Sequence, residues 1–411
     1  MAERPSTSFP VDKIKVLLLE NIHQSAHEIF GGAGYSVEAV STALPEGELI
    51  KKVADVHVLG IRSKTQVTPA VLEAGKRLLS VGAFCIGTNQ IALDAGNSRG
   101  VPAFNAPFSN TRSVAELIVC EVIALSRQLG DRSQEVHSGK WRKVATNCHE
   151  IRGKTLGIIG YGHIGSQVGV LAEALGMRVV YFDVRATLPM GNNRSCTTLG
   201  ELLGQSDFVT LHVPETKETM HMIGAAEIAQ MKAGACLLNM SRGTVVVIDA
   251  LADAIKKKHL GGAAVDVYPT EPESNSDGFD TPLRGLPNVI LTPHVGGSTE
   301  EAQEAIGREV ASSLVRFVSS GSTAGSVNFP QIDMPPMRGG HRILNVHKNV
   351  PGVLRDINKI VSDHSANIQA QVLATDATIG YLIMDINVDV SEDVRKGIAA
   401  LSTSIKTRIL Y

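Results

Sequence analysis

Aromatic residues are scarce in this sequence, at 4%, while glycine is frequent at 39 residues, a balance that suits parallel α/β sheets with many tight βα turns. A surplus of charge of one sign is also missing. Lys and Arg number 39 against 41 Asp and Glu, a net charge of −2, so no global field draws the chain to nucleic acid or an anionic membrane, and any anionic ligand is captured locally. The five cysteines, an odd count, include no Cys-x-x-Cys pair for zinc or redox work. A reduced, cytoplasmic setting and no metal follow as expectations. The apolar run Val16–Leu19 is far too short for a signal-peptide core or a membrane span, so the reading is of a chain neither exported nor anchored. At roughly 150 residues per domain, 411 residues make about two to three domains, and 43% apolar with 19% charged residues is an ordinary folded composition.

From Lys15 to Gly100 short β-branched runs (Val16–Leu19, Val56–Leu59, Leu79–Val81, Val101–Phe104) alternate with helical stretches, the pattern of a parallel sheet. Ser113–Leu129 reads as a helix burying Val114, Leu117, Ile118, Ile123 and Leu125. A second series, Leu156–Ile159, Arg178–Phe182, Phe208–His212, Ala235–Met240, Gly262–Val265 and Val289–Thr292, predicts a doubly wound sheet. The helix expected over Ser298–Ser319 would return to the first sheet, making that domain discontinuous. After the breaker-rich stretch Met334–Gly340, expected to be a hinge bending at Gly339-Gly340, strand Ile343–His347, helix Val353–Ser362, strand Ile368–Leu373, an alternating run Leu382–Val388, a helix capped by Ser391 and strand Ile405–Leu410 spell a βαββαβ unit.

Gly160-Tyr161-Gly162-His163-Ile164-Gly165 follows a buried strand and opens a helix with Ile164, Val168, Leu171 and Leu175 on one face. In that context the glycines allow a tight turn and close backbone approach, and the helix N-terminus faces a pyrophosphate. Asp183 ends the next strand, 18 residues after Gly165. Its carboxylate suits a free ribose 2′-hydroxyl and repels a 2′-phosphate, favouring NAD over NADP, although Arg185 is close by. Ligands of such sheets sit beyond the carboxyl ends of the strands, where Arg242, Glu271 and His294 stand. A histidine near neutral pH can move a hydroxyl proton, an arginine can grip a carboxylate at two points, and a glutamate beside the imidazole would orient it. Singly, each also has a plain explanation: a filler histidine, a loop charge, a cation at a helix end. Arg62 and Lys64 after a strand, and Arg142 and Lys143 in a polar loop, are local cations that could meet an anionic ligand, with Asn110 as a further donor.

These residues resemble the D-2-hydroxyacid dehydrogenase family, with its Rossmann GxGxxG, its Arg after Asn-x-Ser, its Glu in an Asp-Val-x-x-x-Glu-Pro loop and its Pro-His near the domain return. Gly60–Ser63, Gly87–Asn89, Asn105–Pro107 and Arg112–Glu116 agree with the same family. The resemblance implies an α/β fold in three parts: a discontinuous flavodoxin-like substrate domain (13–110 and 298–333), a Rossmann NAD-binding domain (111–297) and a C-terminal βαββαβ ACT (ferredoxin-like) domain (339–411). It implies His294 as proton carrier, Glu271 as its partner and Arg242 as carboxylate anchor. Gly160, Gly162, His163, Ile164, Gly165 and Asp183 would hold the cofactor's pyrophosphate and ribose. Met240, Ser241, Asp266, Gly296 and Gly297 would lie near the nicotinamide with Arg242 and His294, and Arg62, Ser63, Asn110 and Lys143 would join Arg242 around the substrate. Members with an ACT unit oxidise 3-phosphoglycerate as homotetramers inhibited by L-serine, which implies His347, Asn349 and Asn367 as the effector site where two ACT domains pair. Other family members, reducing hydroxypyruvate, glyoxylate or 2-oxoglutarate, and NAD-sensing corepressors are the competing readings. Val247 stands where the family usually has Asp, and Asp249 is expected to take over as helix cap.

Overall fold

The computed structural model describes residues 8–272, 278–335, 337 and 340–411. It resolves into two compact units, one running up to Ser109 and resuming at Gln303, the other Asn110–Ala302. Of the expected hinge, Pro336, Arg338 and Gly339 lie outside the described residues.

The first unit holds a parallel sheet of β1 (Lys15–Leu19), β2 (Ser36–Val40), β3 (Val58–Ile61), β4 (Ser80–Ala83) and β5 (Ala103–Phe104), in the order β2-β1-β3-β4-β5. This is the flavodoxin-like doubly wound order. Sequence periodicity misses β2, an edge strand none of whose residues is buried and whose middle carries Glu38. Helix Glu300–Ser320 buries Ile306, Val310, Ala311, Leu314, Phe317 and Val318, spaced as one helical face, in this unit's core.

The second unit carries β6 (Thr155–Ile159), β7 (Arg178–Phe182), β8 (Arg194–Ser195), β9 (Phe208–Leu211), β10 (Cys236–Asn239), β11 (Gly262–Val265) and β12 (Val289–Leu291). Their order, β12-β11-β10-β9-β6-β7-β8, is a Rossmann sheet winding both ways from β6. The two-residue edge strand β8 is exposed and carries no pattern to read. Two helical expectations need correction. Helix Thr111–Ser126 buries Val114, Ile118 and Leu125 but leaves Ile123 outside, and Leu175 is an exposed C-cap rather than a core residue of helix His163–Ala174. Asp249 is no cap either. The N-cap of helix Ile248–Lys256 is Val247, with no side-chain acceptor, and Asp249 sits inside the first turn, where it serves only the helix dipole.

The C-terminal sheet belongs to the first unit. β13 (His341–Lys348), β14 (Ile368–Thr375), β15 (Ile379–Ile386) and β16 (Ser404–Leu410) pair antiparallel as β14-β15-β13-β16, the ferredoxin-like arrangement. Both faces are apolar at period two. Ile343, Leu382, Met384 and Ile386 pack on helices Val353–Asp363 and Ser391–Ala399, while Leu344, Val346, Tyr381 and Ile383 join the core that contains helix Glu300–Ser320. Ser391 is the first helical residue rather than the cap. Its hydroxyl donates to Val388 O at 2.9 Å and bonds His341 Nδ1 at 2.6 Å. Val388 lies beyond β15 and is exposed.

Polar side chains of this sheet satisfy the carbonyls that helix Glu300–Ser320 leaves unpaired at its C-terminus. Arg408 donates to Val318 O (2.8 Å), Arg342 to Ser320 O (3.1 Å) and the Tyr381 hydroxyl to Gly321 O (2.6 Å). Cations at that end also suit the helix dipole. Arg342 is itself clamped by Asp385 through two bonds of 2.6 and 2.8 Å, with its side chain 2% exposed. Asp385→Ala, which strands this buried guanidinium, is expected to destabilise the first unit by about 3–5 kcal/mol. Asp363→Ala, which breaks the exposed Lys359–Asp363 pair, should cost no more than about 0.5 kcal/mol. Chemical denaturation of the two variants checks the contrast, and equal losses would contradict it.

Candidate active site

The glycine turn between β6 and helix His163–Ala174 is forced by its neighbours. Gly160 has φ +89°, and a Cβ there would stand 2.5 Å from His212 O; a Cβ on Gly165 would stand 2.2 Å from Gly160 O. Gly162 differs: a Cβ there meets nothing within 4 Å. The open space lies directly at the helix N-cap, where a pyrophosphate would meet the first N–H groups, so the chain fits a dinucleotide. Asp183 follows β7, accepting from the Tyr161 N–H at 2.7 Å and the Arg185 N–H at 2.9 Å. With two backbone donors fixing it, the carboxylate keeps lone pairs for ribose hydroxyls.

At the carboxyl end of β10, buried Asn239 organises the next loop. Its Oδ1 accepts from the Ser241 N–H and hydroxyl at 3.1 and 2.9 Å, and its Nδ2 donates to Arg242 O at 3.0 Å. Met240 and Ser241 are buried. Arg242 Nη1 donates to Ser241 O at 2.7 Å, and among the described residues no carboxylate pairs with the guanidinium. Gly243, which the sequence reading left without a role, locks this loop onto the next: a Cβ there would lie 2.0 Å from Tyr268 C and O.

Beyond β11, Asp266 is 2% exposed and accepts from the Thr292 hydroxyl (2.6 Å), the Val295 N–H (2.8 Å) and the Gly296 N–H (2.8 Å). These three bonds wrap Thr292–Gly296 into a turn that puts His294 at φ +56°. Left-handed backbone costs a non-glycine residue about 1–2 kcal/mol, whereas hydrogen bonds to a charged acceptor contribute about 1.5–3 kcal/mol each; the turn is therefore held against its strain. It delivers His294 Nδ1 to Glu271 at 2.9 and 3.1 Å from the two carboxylate oxygens. The hydrogen bond to Glu271 raises the His294 pKa, against burial, with the charges of Glu271 and Asp266 adding and that of Arg242 subtracting. Burial pushes the Glu271 carboxyl upward, but the bond and charge of His294, the Tyr268 N–H at 3.2 Å and Arg242 outweigh it and leave its pKa lowered.

Two further residues escape a sequence reading. Tyr268 donates its hydroxyl to Val265 O and Thr292 O at 2.9 and 3.1 Å, tying the two loops together. Glu121, on helix Thr111–Ser126, is buried with no hydrogen-bond partner on either oxygen among the described residues. Burial, then the charge of Asp266, pushes it up to about 8. No periodic or motif signal marks either residue. Asn110 lies against Gly297, whose Cβ would meet its amide nitrogen at 2.1 Å. Lys143 is exposed and makes no ion pair among the described residues, and Arg142 reaches Glu135 at 3.4 Å.

In the first unit, Arg62 and Ser63 follow β3 in a turn built on the buried carboxylate of Glu20, which accepts from the N–H groups of Arg62 (3.1 Å), Lys64 (3.0 Å) and Thr65 (2.8 Å). In the C-terminal sheet His347 is 3% exposed and bonded to Asn345 Oδ1 at 3.0 Å, and Asn349 Nδ2 donates to Asp376 O at 2.6 Å. Asn367 is not their neighbour within one chain. His347 stands opposite Gly380 and, through it, Thr375, whereas Ile368, next to Asn367, stands opposite Ile386 at the far end of the sheet.

Residues 119–296 match the NAD-binding domain of the D-isomer specific 2-hydroxyacid dehydrogenases, and 343–406 an ACT domain like that of the AHAS small subunit. The chain is 59% identical to D-3-phosphoglycerate dehydrogenase of Dictyostelium discoideum, covering 99% of this chain and 100% of that one. It is 50% identical to the Escherichia coli enzyme of the same name, over 98% and 99%. Among solved structures, D-lactate dehydrogenase from Aquifex aeolicus complexed with NAD and lactic acid matches at TM-score 0.65 and 28% identity, over 77% of this chain and 100% of that one. Gly243→Ala is expected to lower kcat/KM by about 100-fold, since a shift of about 1 Å in a positioning loop costs that much. Steady-state kinetics with NAD checks it; an unchanged value would show that the Gly243–Tyr268 approach does not position Arg242.

Proposed function

The chain belongs to the D-isomer specific 2-hydroxyacid dehydrogenases, and from that premise we propose that it oxidises 3-phosphoglycerate to 3-phosphohydroxypyruvate with NAD, the entry to L-serine synthesis. The observation that carries the chemistry is the His294–Glu271 pair, 2.9 Å apart on a turn pinned by Asp266. NAD, when bound, accepts the hydride from the hydroxyl-bearing carbon. Glu271 occupies His294 Nδ1, so the hydroxyl proton goes to Nε2 in oxidation and returns from it in reduction. The Glu271 carboxylate stabilises the imidazolium formed in that step. Arg242 keeps guanidinium donors for the substrate carboxylate, whose two oxygens match its planar fork. Arg62, Ser63, Asn110 and Lys143 are assigned to the rest of the substrate, the phosphate above all, on family resemblance. The five free thiols suit a cytosolic setting.

L-serine is the proposed effector and a homotetramer the proposed assembly. Because Asn367 stands at the opposite end of the sheet from His347 and Asn349, a serine site using all three takes Asn367 from a second copy. Strand β14 supports such pairing: it is an edge of its sheet, with Val372 and Leu373 exposed.

The substrate is tested by NADH formation on a panel of hydroxy acids, where 3-phosphoglycerate should give the highest kcat/KM, and a preference for an unphosphorylated acid would overturn the assignment. The pH dependence has a definite sign. A raised His294 pKa keeps the imidazole protonated above its usual value near 6.5, so oxidation, which needs the neutral base, rises with pH through that raised pKa. Glu271→Gln should move this limb to lower pH; a limb that stays in place would separate Glu271 from His294 during turnover. Millimolar L-serine should inhibit reversibly, with Asn349→Ala relieving inhibition. A wild type neither inhibited nor binding serine by calorimetry would end the effector assignment and leave the dehydrogenase standing.

A further inference from the structure

The first unit contains a cavity of about 650 Å³ at the amino ends of β1, β3 and β4, closed on one side by β16 of the C-terminal sheet. Arg62 follows the carboxyl end of β3, so the cavity opens at the opposite edge of the sheet from the turn assigned to substrate. Five basic side chains line it, Lys13, Lys15, Lys76, Arg77 and Lys406, with Asp12 as the lining carboxylate. Asp55 pairs at once with Lys15 and Arg77. Lys13, Lys76 and Lys406 have no ion-pair partner among the described residues.

Lys406 makes the surplus costly. Its ammonium donates to Leu78 O at 2.5 Å, a neutral acceptor that leaves the charge uncompensated, and an enclosed charge without a counter-ion is expensive. Burial, with the charge of Arg408 adding, pushes its pKa down to about 7. His57 lines the same cavity as a neutral donor. Its Nδ1 accepts from the Lys15 N–H at 3.0 Å, which leaves the proton on Nε2, and burial first, then Arg77, lowers its pKa.

We propose that this cavity binds a small dianion of the phosphate-monoester class, held by Lys406, Lys76 and Lys13, at a place separate from the substrate. With Lys406 protonated, the three unpaired ammonium groups exceed Asp12 by two charges, which a dianion matches and a monoanion does not. Ammonium groups suit it as compact point charges on flexible stems. Lys406 sits on β16 opposite Val346 of β13, and its bond to Leu78 ties that strand to the parallel sheet. A bound dianion therefore bridges the two sheets and strengthens their docking.

The test is calorimetric titration of the full-length, NAD-loaded protein with inorganic phosphate, with ionic strength held constant by chloride. Saturable binding is expected. Lys406→Met and, independently, Lys76→Gln should each weaken it about tenfold, a loss of about 1.4 kcal/mol, with kcat unchanged to within about twofold. Lys76 is exposed, so its variant decides the matter if Lys406→Met does not fold. Arg62→Ala serves as the control for phosphate in the substrate position. The proposal is overturned by absence of saturable binding in the wild type, by wild-type affinity in the lysine variants, or by binding that only Arg62→Ala removes.

Discussion

The candidate active site depends on one carboxylate. Asp266, buried at the end of β11, gathers the Thr292 hydroxyl and the N–H groups of Val295 and Gly296, and through them imposes a left-handed backbone on His294. A histidine in an ordinary loop would relax from that conformation by about 1–2 kcal/mol. Here the relaxation would leave a buried carboxylate short of donors, which costs more. Glu121 sharpens the arrangement: a second carboxyl, held neutral by burial and by Asp266 itself, lies close enough to feel its charge without competing for its donors. His294 then meets Glu271, and the bond between them raises the proton affinity of the imidazole.

The C-terminal part of the first unit is organised by the backbone groups of one helix end. The helix Glu300–Ser320 leaves carbonyls at its C-terminus without intrahelical partners, and Arg342, Tyr381 and Arg408 of the C-terminal sheet supply the donors. The sheet that carries the proposed serine corner is thereby docked by polar contacts as well as by Leu344, Val346 and Ile383. The corner proposed for the effector on β13 and the cationic cavity beside β16 lie on strands that are hydrogen-bonded neighbours, so ligands at the two proposed sites would share one mechanical target.

Much of this was legible in the residues. The Gly160–Gly165 turn, Asp183 at the end of β7, and the trio Arg242, Glu271 and His294 combine a motif with strand-end position, and both survive in a linear reading. What stayed hidden is tertiary. Gly243 matters because Tyr268 lies against it, Glu20 because the Arg62 turn closes on its carboxylate, and Glu121 because a helix carries it into the core beside Asp266; none has a local signature. The edge strands β2 and β8 lack buried faces, so periodicity had nothing to register. Asp249 illustrates the opposite error, in which a good capping residue in the right neighbourhood falls inside the helix while Val247 takes the cap position. Asn367 was placed beside Asn349 by chain order, and strand register sends it to the other end of the sheet.

The central claim is that Asp266 delivers His294 to Glu271. It is tested most directly by following the His294 imidazole by NMR titration in a four-protein cycle: wild type, Glu271→Gln, Asp266→Ala and the double variant. If Asp266 builds the turn, Glu271→Gln lowers the His294 pKa in the wild-type background and has almost no effect once Asp266 is gone, a strong coupling between two residues that do not share a hydrogen bond. The same pKa drop in both backgrounds would mean that His294 finds Glu271 without Asp266, and the account of this site would be wrong.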